Sequence, residues 1–356
     1  MITRKKFIQQ ALTVSAGAAW LGLGNAKAQQ KPVSSKFDFL TFDLHAHPGR
    51  FYRRGMEDYT GDEGVKNTVK EMNEGGLSGA FFSTVVDTLV TKRTDTGIVP
   101  ARDFAKGEAW KEYKRQIAEL NALCGILPMR KAINLHDLVD NPSNQVAAFF
   151  ACEGGDFLES ASQLDELHAD GVRAVQLVHY APNPLGDLQT YAGQHNGLSR
   201  LGKEVVRKMN GLGMVVDVAH ASYQTVADVA DASDKPIILS HSILKLKEER
   251  PIAIRAITEE HAKIVAATGG VIGAWPSGFN TSFDDYIDNI LRLIDVVGIN
   301  HVGLGTDMDS NYKPVMDSYL QLSSWTEALR DSGLTEEEVH KVSGENVARV
   351  LKAAGL

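Results

Sequence analysis

Two histidines one residue apart, His45 and His47 in the stretch F-D-L-H-A-H-P at 42–48, end a run of strand-forming residues. Side chains alternate along a strand, so residues i and i+2 share a face and both imidazoles point the same way. The pair is either a two-pronged metal claw or two histidines satisfied in a packed core. Other apolar runs also end on a residue suited to metal chemistry: Glu153, His220, His241 and Asp307. Glu153 stands in A-C-E-G-G-D, where two glycines let the chain turn tightly. A carboxylate there can bridge two cations and hold them within roughly 3.5 to 4 Å; the plainer reading is a helix cap or a salt bridge. His220 in V-V-D-V-A-H-A-S and His241 in I-I-L-S-H-S both close β-branched runs. One terminal histidine is more often structural, whereas two on adjacent strands favour ligation.

Three further residues read as substrate or proton groups. Asp307 closes H-V-G-L-G-T-D and, beside metals, can take a proton from a nucleophilic water and pass it to a leaving amine; a helix cap is its alternative. His179 in V-Q-L-V-H-Y-A-P-N is offset from the claw and better suited to polarising a substrate oxygen than to ligation. Arg255 can grip a carboxylate with both arms of its guanidinium, with an ordinary surface arginine as the bland reading. Asp217, three residues before His220, falls on the opposite strand face and reads as structural. The remaining histidines, His136, His168, His195, His261, His301 and His340, lie in helices, loops or strand beginnings and also read as structural.

These residues need elements to position them. Eight apolar runs, at 37–45, 79–86, 146–153, 172–179, 214–220, 236–241, 270–275 and 301–307, alternate with amphipathic helical stretches such as 198–209, 258–268 and 283–294. Strands without polar alternation, separated by helices, indicate a parallel sheet covered by helices. Eight such units fit a (β/α)8 barrel of the TIM type better than an open doubly wound sheet, because no Gly-x-Gly-x-x-Gly fingerprint follows the first strand. The ionisable residues cluster at strand C-terminal ends, where barrel enzymes keep their chemistry. One shared site is expected.

Composition, 43% hydrophobic and 23% charged over 356 residues, is globular. The first 28 residues differ: Arg4, Lys5 and Lys6 precede an apolar run from Ala11 to Leu23, followed by Ala26-Lys27-Ala28. This reads as an export signal cleaved after Ala28, leaving a single barrel domain at 29–356 in the periplasm, with no stable membrane span. The T-R-K-K-F-I order resembles a twin-arginine signal with Lys5 in the second arginine position, so the export route stays open. Cleavage removes four cationic residues and no acid, taking the formal charge from −8 to −12. A surface this acidic argues against nucleic acid as a partner. Cys124 and Cys152 do not make a disulfide framework, and Cys152, ending an apolar run, reads as a buried thiol.

Taken together in order, E-G-G at 153–155, L-V-H-Y-A-P-N at 177–183, D-V-A-H-A-S at 217–222, S-H-S at 240–242, R-A-I-T-E-E at 255–260, G-G-V-I-G at 269–273, H-V-G-L-G-T-D at 301–307 and G-E-N-V-A-R-V-L at 344–351 resemble the membrane dipeptidase (renal dipeptidase) family of zinc metallopeptidases, within the amidohydrolase-type barrels. The resemblance covers most of the mature chain. It implies Glu153 as the bridging carboxylate, His220 and His241 as ligands of the second zinc, His179 and Arg255 as substrate contacts, and Asp307 as the proton shuttle. One position departs: the family has an aspartate two residues after the first histidine, and this chain has His47. A neutral imidazole in place of an anion makes the site more positive by one unit. H-x-H is instead the first-strand pattern of the wider amidohydrolase barrels.

The expectation is an exported enzyme holding two Zn2+ ions, in which a metal-bridging hydroxide cleaves the peptide bond of a dipeptide. The first ion would sit on His45, His47 and Glu153, and the second on Glu153, His220 and His241. Another amide, a lactone or an N-acyl amino acid is the alternative substrate, and a non-catalytic metal-binding protein is a further reading. The expected partner is a small peptide-like substrate, with a homodimer left open.

Overall fold

The computed structural model describes residues 36–95, 97–141 and 145–356. The export segment expected at 1–28 lies outside the described residues. Eight parallel strands close on themselves: β1 Phe42–Ala46, β2 Gly79–Val85, β3 Val146–Glu153, β4 Val172–Gln176, β5 Val215–Asp217, β6 Ile238–Ser242, β7 Val271–Ala274 and β8 Val302–Leu304. Each pairs with its neighbours in sequence, β8 pairs with β1, and β2 pairs with β3 along seven residues. This is the (β/α)8 barrel expected from the alternation of elements.

A helix follows every strand: α1 Glu63–Gly75, α2 Glu108–Cys124, α3 Leu164–Asp170, α4 Arg200–Leu212, α5 Tyr223–Ala232, α6 Glu259–Ala267, α7 Phe283–Val297 and α8 Leu322–Asp331. Several start on a hydroxyl that satisfies an otherwise orphaned backbone N–H. Ser199 accepts from Gly202, Ser222 from Thr225, Thr258 from His261 and Ser282 from Asp285. Between β2 and β3 the chain adds an antiparallel hairpin, Thr91–Thr94 with Gly97–Pro100, which the sequence reading did not separate from its surroundings. A short strand, Met129–Lys131, pairs with residues 146–148 of β3, while β4 pairs with residues 150–153.

Strand alternation sorts the two sides of the barrel wall. Along β3, Val146, Ala148, Phe150 and Cys152 pack outward against the helices, and Ala147, Phe149 and Ala151 pack inward. The inward set meets Phe42, Leu44, Phe81, Ala174, Val215, Ile238 and Val271 from the other strands. A last helix, α9 Asn346–Ala354, plugs the N-terminal end of this interior with Val347, Val350, Leu351 and Ala354. Each such side chain taken from water stabilises the fold by about 1.5–3 kcal/mol. Both cysteines are free, and burial pushes the Cys152 thiol up to about 12, as an inert core group.

Three strands stop three residues sooner than expected. β4 ends at Gln176, β5 at Asp217 and β8 at Leu304, so His179, His220 and Asp307 lie on the turns beyond them. His220 and Asp307 have φ of 65° and 53°. Such left-handed backbone is uncommon for non-glycine residues and ends the strand pairing.

Candidate metal centre

The interior period of β1 does not by itself carry the histidines inward. Phe42 and Leu44 face the barrel interior, so strict alternation would send His45 outward. The ladder with β2 resolves this: Asp43 pairs with Ala80 but Ala46 pairs with Phe82, one extra residue on β1. That bulge re-aims the chain. Ala46 packs with the outer layer, and His45 and His47 bring their Nε2 atoms to 3.0 Å of each other. β6 uses the same device before His241, for Leu239 pairs with Ile272 and Ser242 with Ala274. The bulged strand presses the Ser240 carbonyl toward β7 and β8. A Cβ at Gly273 or Gly305 would stand 1.8 or 1.9 Å from that oxygen, so only glycine fits at either position.

Glu153 enters from the end of β3 and becomes the common point. Its Oε1 lies 3.4 Å from His45 Nε2, 3.3 Å from His220 Nε2 and 3.7 Å from His241 Nε2, and its Oε2 lies 3.2 Å from His47 Nε2. His220 Nε2 and His241 Nε2 are 3.0 Å apart. Two ligand groups result, His45–His47–Glu153 and Glu153–His220–His241, each with its donor atoms within 4.8 Å of one another. All five residues expected as ligands are thus in one buried cluster.

The rest of each ring shows whether the donors suit a cation. His47 Nδ1 is 2.8 Å from the Ser83 carbonyl, which can only accept, so Nδ1 carries a proton and Nε2 is the atom left available to a cation. Burial opposes charge on His47, but Asp307 and Glu153 outweigh it and raise its pKa well above the ordinary value. A cation arriving at Nε2 therefore displaces a proton. His220 and His241 are held well below the ordinary value, first by burial, to which the Arg255 guanidinium near both adds. Their rings are neutral, as ligation requires. Burial would raise the Glu153 carboxyl, yet His179 and His45 prevail and keep it ionised. Five lone-pair donors converging without intervening side chains fit two divalent cations, with the carboxylate common to both.

The other expected groups surround this cluster. His179 Nε2 is 3.3 Å from Glu153 Oε1, and Asp307 Oδ1 is 3.4 Å from His47 Nε2. Arg255 is buried, with its Nη2 3.4 Å from His241 Nε2, its Nη1 donating to Gln189 Oε1 at 2.5 Å and its Nε unpartnered. Among the described residues no carboxylate lies within 4.0 Å of its guanidinium. A surface position is excluded for it. Asp217, the last residue of β5, accepts from the backbone of Ala219 and Ser240 and ties β5 to β6.

Sequence reasoning missed Asp87. Fully buried, it accepts from His179 Nδ1 at 2.7 Å and from the backbone of Tyr180 and Ala181 at 3.0 Å each, fixing the ring so that Nε2 faces the cluster. The signal was available: Asp87 follows the second apolar run directly, at the same strand end as the other ionisable residues. Asp43 was also missed, though it lies within the H-x-H stretch. It accepts from Thr306 and Tyr319 and from the backbone of His45, bracing the β1 bulge against β8.

Comparison with known proteins gives a consistent result. Residues 30–356 match the sequence pattern described as "Membrane dipeptidase (Peptidase family M19)". The chain is 30% identical over 306 residues to an uncharacterised dipeptidase of Schizosaccharomyces pombe, covering 79% of this chain and 71% of that one. Against the dipeptidase tcpJ of Claviceps purpurea it is 30% identical over 221 residues, 59% of this chain and 51% of that protein, so it spans about half the length of that relative. Among solved structures, the metallopeptidase dipeptidase AC superposes with a TM-score of 0.75 at 20% identity, covering 89% of this chain and 98% of that one. A metallopeptidase of Rhodobacter sphaeroides, liganded with a phosphinate mimic of the dipeptide L-Ala-D-Ala, superposes with a TM-score of 0.72 at 20% identity, covering 89% and 99%. These two structures share the barrel.

Proposed function

The chain belongs to the membrane dipeptidase family, peptidase family M19, and from that premise we propose that it is an exported, zinc-dependent dipeptidase. The observation that carries the reading is the position of Glu153, whose carboxylate belongs to both three-residue donor groups. His45, His47 and Glu153 would hold one cation, and Glu153, His220 and His241 the other. Such a pair, when bound, would activate a nucleophilic water near neutral pH and polarise the scissile carbonyl.

The chain's own residues do the rest. Asp307, beside His47, accepts the proton of the attacking water and returns it to the departing amine. His179 is raised above its ordinary value: burial opposes charge, but Asp87 and Glu153 overcome it. With Nδ1–H on Asp87, its Nε2–H is the donor that meets oxyanion charge developing on the substrate. Arg255, buried without a carboxylate partner and with its Nε unpartnered, would take the substrate's terminal carboxylate. The phosphinate dipeptide mimic bound by the Rhodobacter sphaeroides protein supports a dipeptide, since a tetrahedral phosphinate copies a hydrated peptide carbonyl. Export rests on the basic, apolar and Ala-x-Ala segments of residues 1–28.

Metal analysis of the purified protein combined with free-amino-acid release from a dipeptide panel tests this. Two equivalents of zinc and release of both amino acids are expected, with periplasmic protein starting at Gln29. Hydrolysis confined to other amides, lactones or N-acyl amino acids would replace the substrate class. Bound metal with no hydrolysis at all would leave a binding protein.

A further inference from the structure

Arg255 is a buried cation held by uncharged groups. Gln189 Oε1 accepts from Nη1 at 2.5 Å, the guanidinium carbon stands 5.7 Å from the centroid of the Trp275 ring, and the Tyr180 hydroxyl lies beside it. With Nη1 engaged, the edge formed by Nε and Nη2 is left over. Nε has no partner, and Nη2 is 3.4 Å from His241 Nε2, so this edge lies toward the ligand cluster. Two parallel N–H groups on one edge are what a guanidinium needs to bind a carboxylate with both oxygens.

Gln189 is itself fixed from the other side. Its backbone N–H donates to the His220 carbonyl at 2.8 Å, and the Ser222 N–H donates to the Asp187 carbonyl at 2.9 Å. Residues 187–189 therefore run antiparallel to residues 220–222, with Leu188 opposite Ala221 and both buried. One residue thus grips a candidate metal ligand with its main chain and the carboxylate anchor with its side chain. The amide also matters for what it lacks. A carboxylate at this position would orient the guanidinium equally well, but it would neutralise the charge and compete for the open edge. A neutral carbonyl fixes the direction of Arg255 and leaves its charge undivided.

We propose that Gln189 is a positioning residue that holds Arg255 with its Nε–Nη2 edge open toward the metal centre, and thereby sets the selectivity for substrates with a free C-terminal carboxylate. The proposal rests on the reading that Arg255 takes that carboxylate.

The test measures zinc content, and kcat/KM of the zinc-loaded protein for Ala-Ala and for its C-terminal amide, in the parent and in Arg255→Met, Gln189→Ala and Gln189→Glu. The parent should prefer the free acid by about a hundredfold or more, and Arg255→Met should lose that preference. Gln189→Ala should lower the acid-to-amide ratio roughly tenfold, with KM for Ala-Ala rising more than kcat falls. Gln189→Glu should lower it further, because the new carboxylate occupies the guanidinium. Zinc content should match the parent in both Gln189 variants, since the main-chain bond to His220 survives each change and Gln189 is only half-buried. A role confined to propping the loop would instead make Gln189→Glu, which keeps length and shape, the milder of the two. A ratio unmoved in both Gln189 variants, Gln189→Glu milder than Gln189→Ala, or loss of zinc from either overturns the role given to Gln189 while the Arg255 reading stands. A parent ratio near one, or a preference that survives in Arg255→Met, overturns that reading and the positioning role with it.

Discussion

Phe42, Val215 and Ile238 begin their strands among the apolar side chains of α9, whereas a few residues further along, His45, His220 and His241 converge on Glu153. One end of the barrel is closed by hydrocarbon, and the other gathers imidazoles and carboxylates that are costly to bury unless paired or ligated. The difference teaches that stability and chemistry are separated along the strand axis. The lower end can hold the fold while the upper end carries groups chosen for reactivity.

The largest break in that comparison should come from Glu153→Gln. If two cations are bound as proposed, removing the charge shared by both donor groups would leave them mutually repelling. At least one metal should be lost and turnover should fall by several orders of magnitude, while circular dichroism stays native. A variant with both metals and near-normal turnover would return Glu153 to a structural role. His47→Ala should next lower metal stoichiometry at one position, leaving His220 and His241 occupied. His47→Asp should keep ligation, because carboxylate and imidazole both bind zinc at about 2.0 to 2.2 Å. It should also move the acid limb of the pH–rate profile upward, since an added negative charge makes the nucleophilic water harder to deprotonate. Two tightly held metals and unchanged kinetics in His47→Ala would remove His47 from the ligand set.

The opposite end should respond in the opposite way. Leu351→Ala, in the α9 plug, should cost about 2–5 kcal/mol of stability, seen as a lower Tm, with metal content and kcat as in the parent. A loss of metal there would show that the two ends are coupled. The smallest effect sharpens the contrast through pH. Burial holds His261 at about 4 against 6.5 for a free histidine, so between these values the unfolded chain binds a proton that the folded one does not. This contribution is fully present above about pH 6.5 and is lost as pH falls toward 4, on the order of 3 kcal/mol in all. His261→Gln should flatten the fall of Tm over that window, and Leu351→Ala should leave its slope as it is.

Much of this was legible in the chain. The strand and helix periods gave eight units and hence the barrel, because burial on both faces leaves apolar runs that local composition reveals. His45, His47, Glu153, His220, His241, His179 and Asp307 were visible because each follows an apolar run. Asp87 obeys the same rule after the second run and was passed over. Arg255 offered no such pattern, and its burial became apparent only once Trp275 and the loop carrying Gln189 had closed around it.

The sequence by itself determined which side chains stand at the strand ends and in what order. Only the tertiary structure decided that they meet. Period two along β1 sends Leu44 and His45 to opposite faces, and the extra residue that turns both inward exists only as a slip in the ladder with β2. The matching slip on β6 needs bare backbone at Gly273 in β7 and at Gly305 just past β8 to admit the Ser240 carbonyl. Register is a property of paired chains, fixed by hydrogen bonds and by the space neighbours leave, so no single segment contains it.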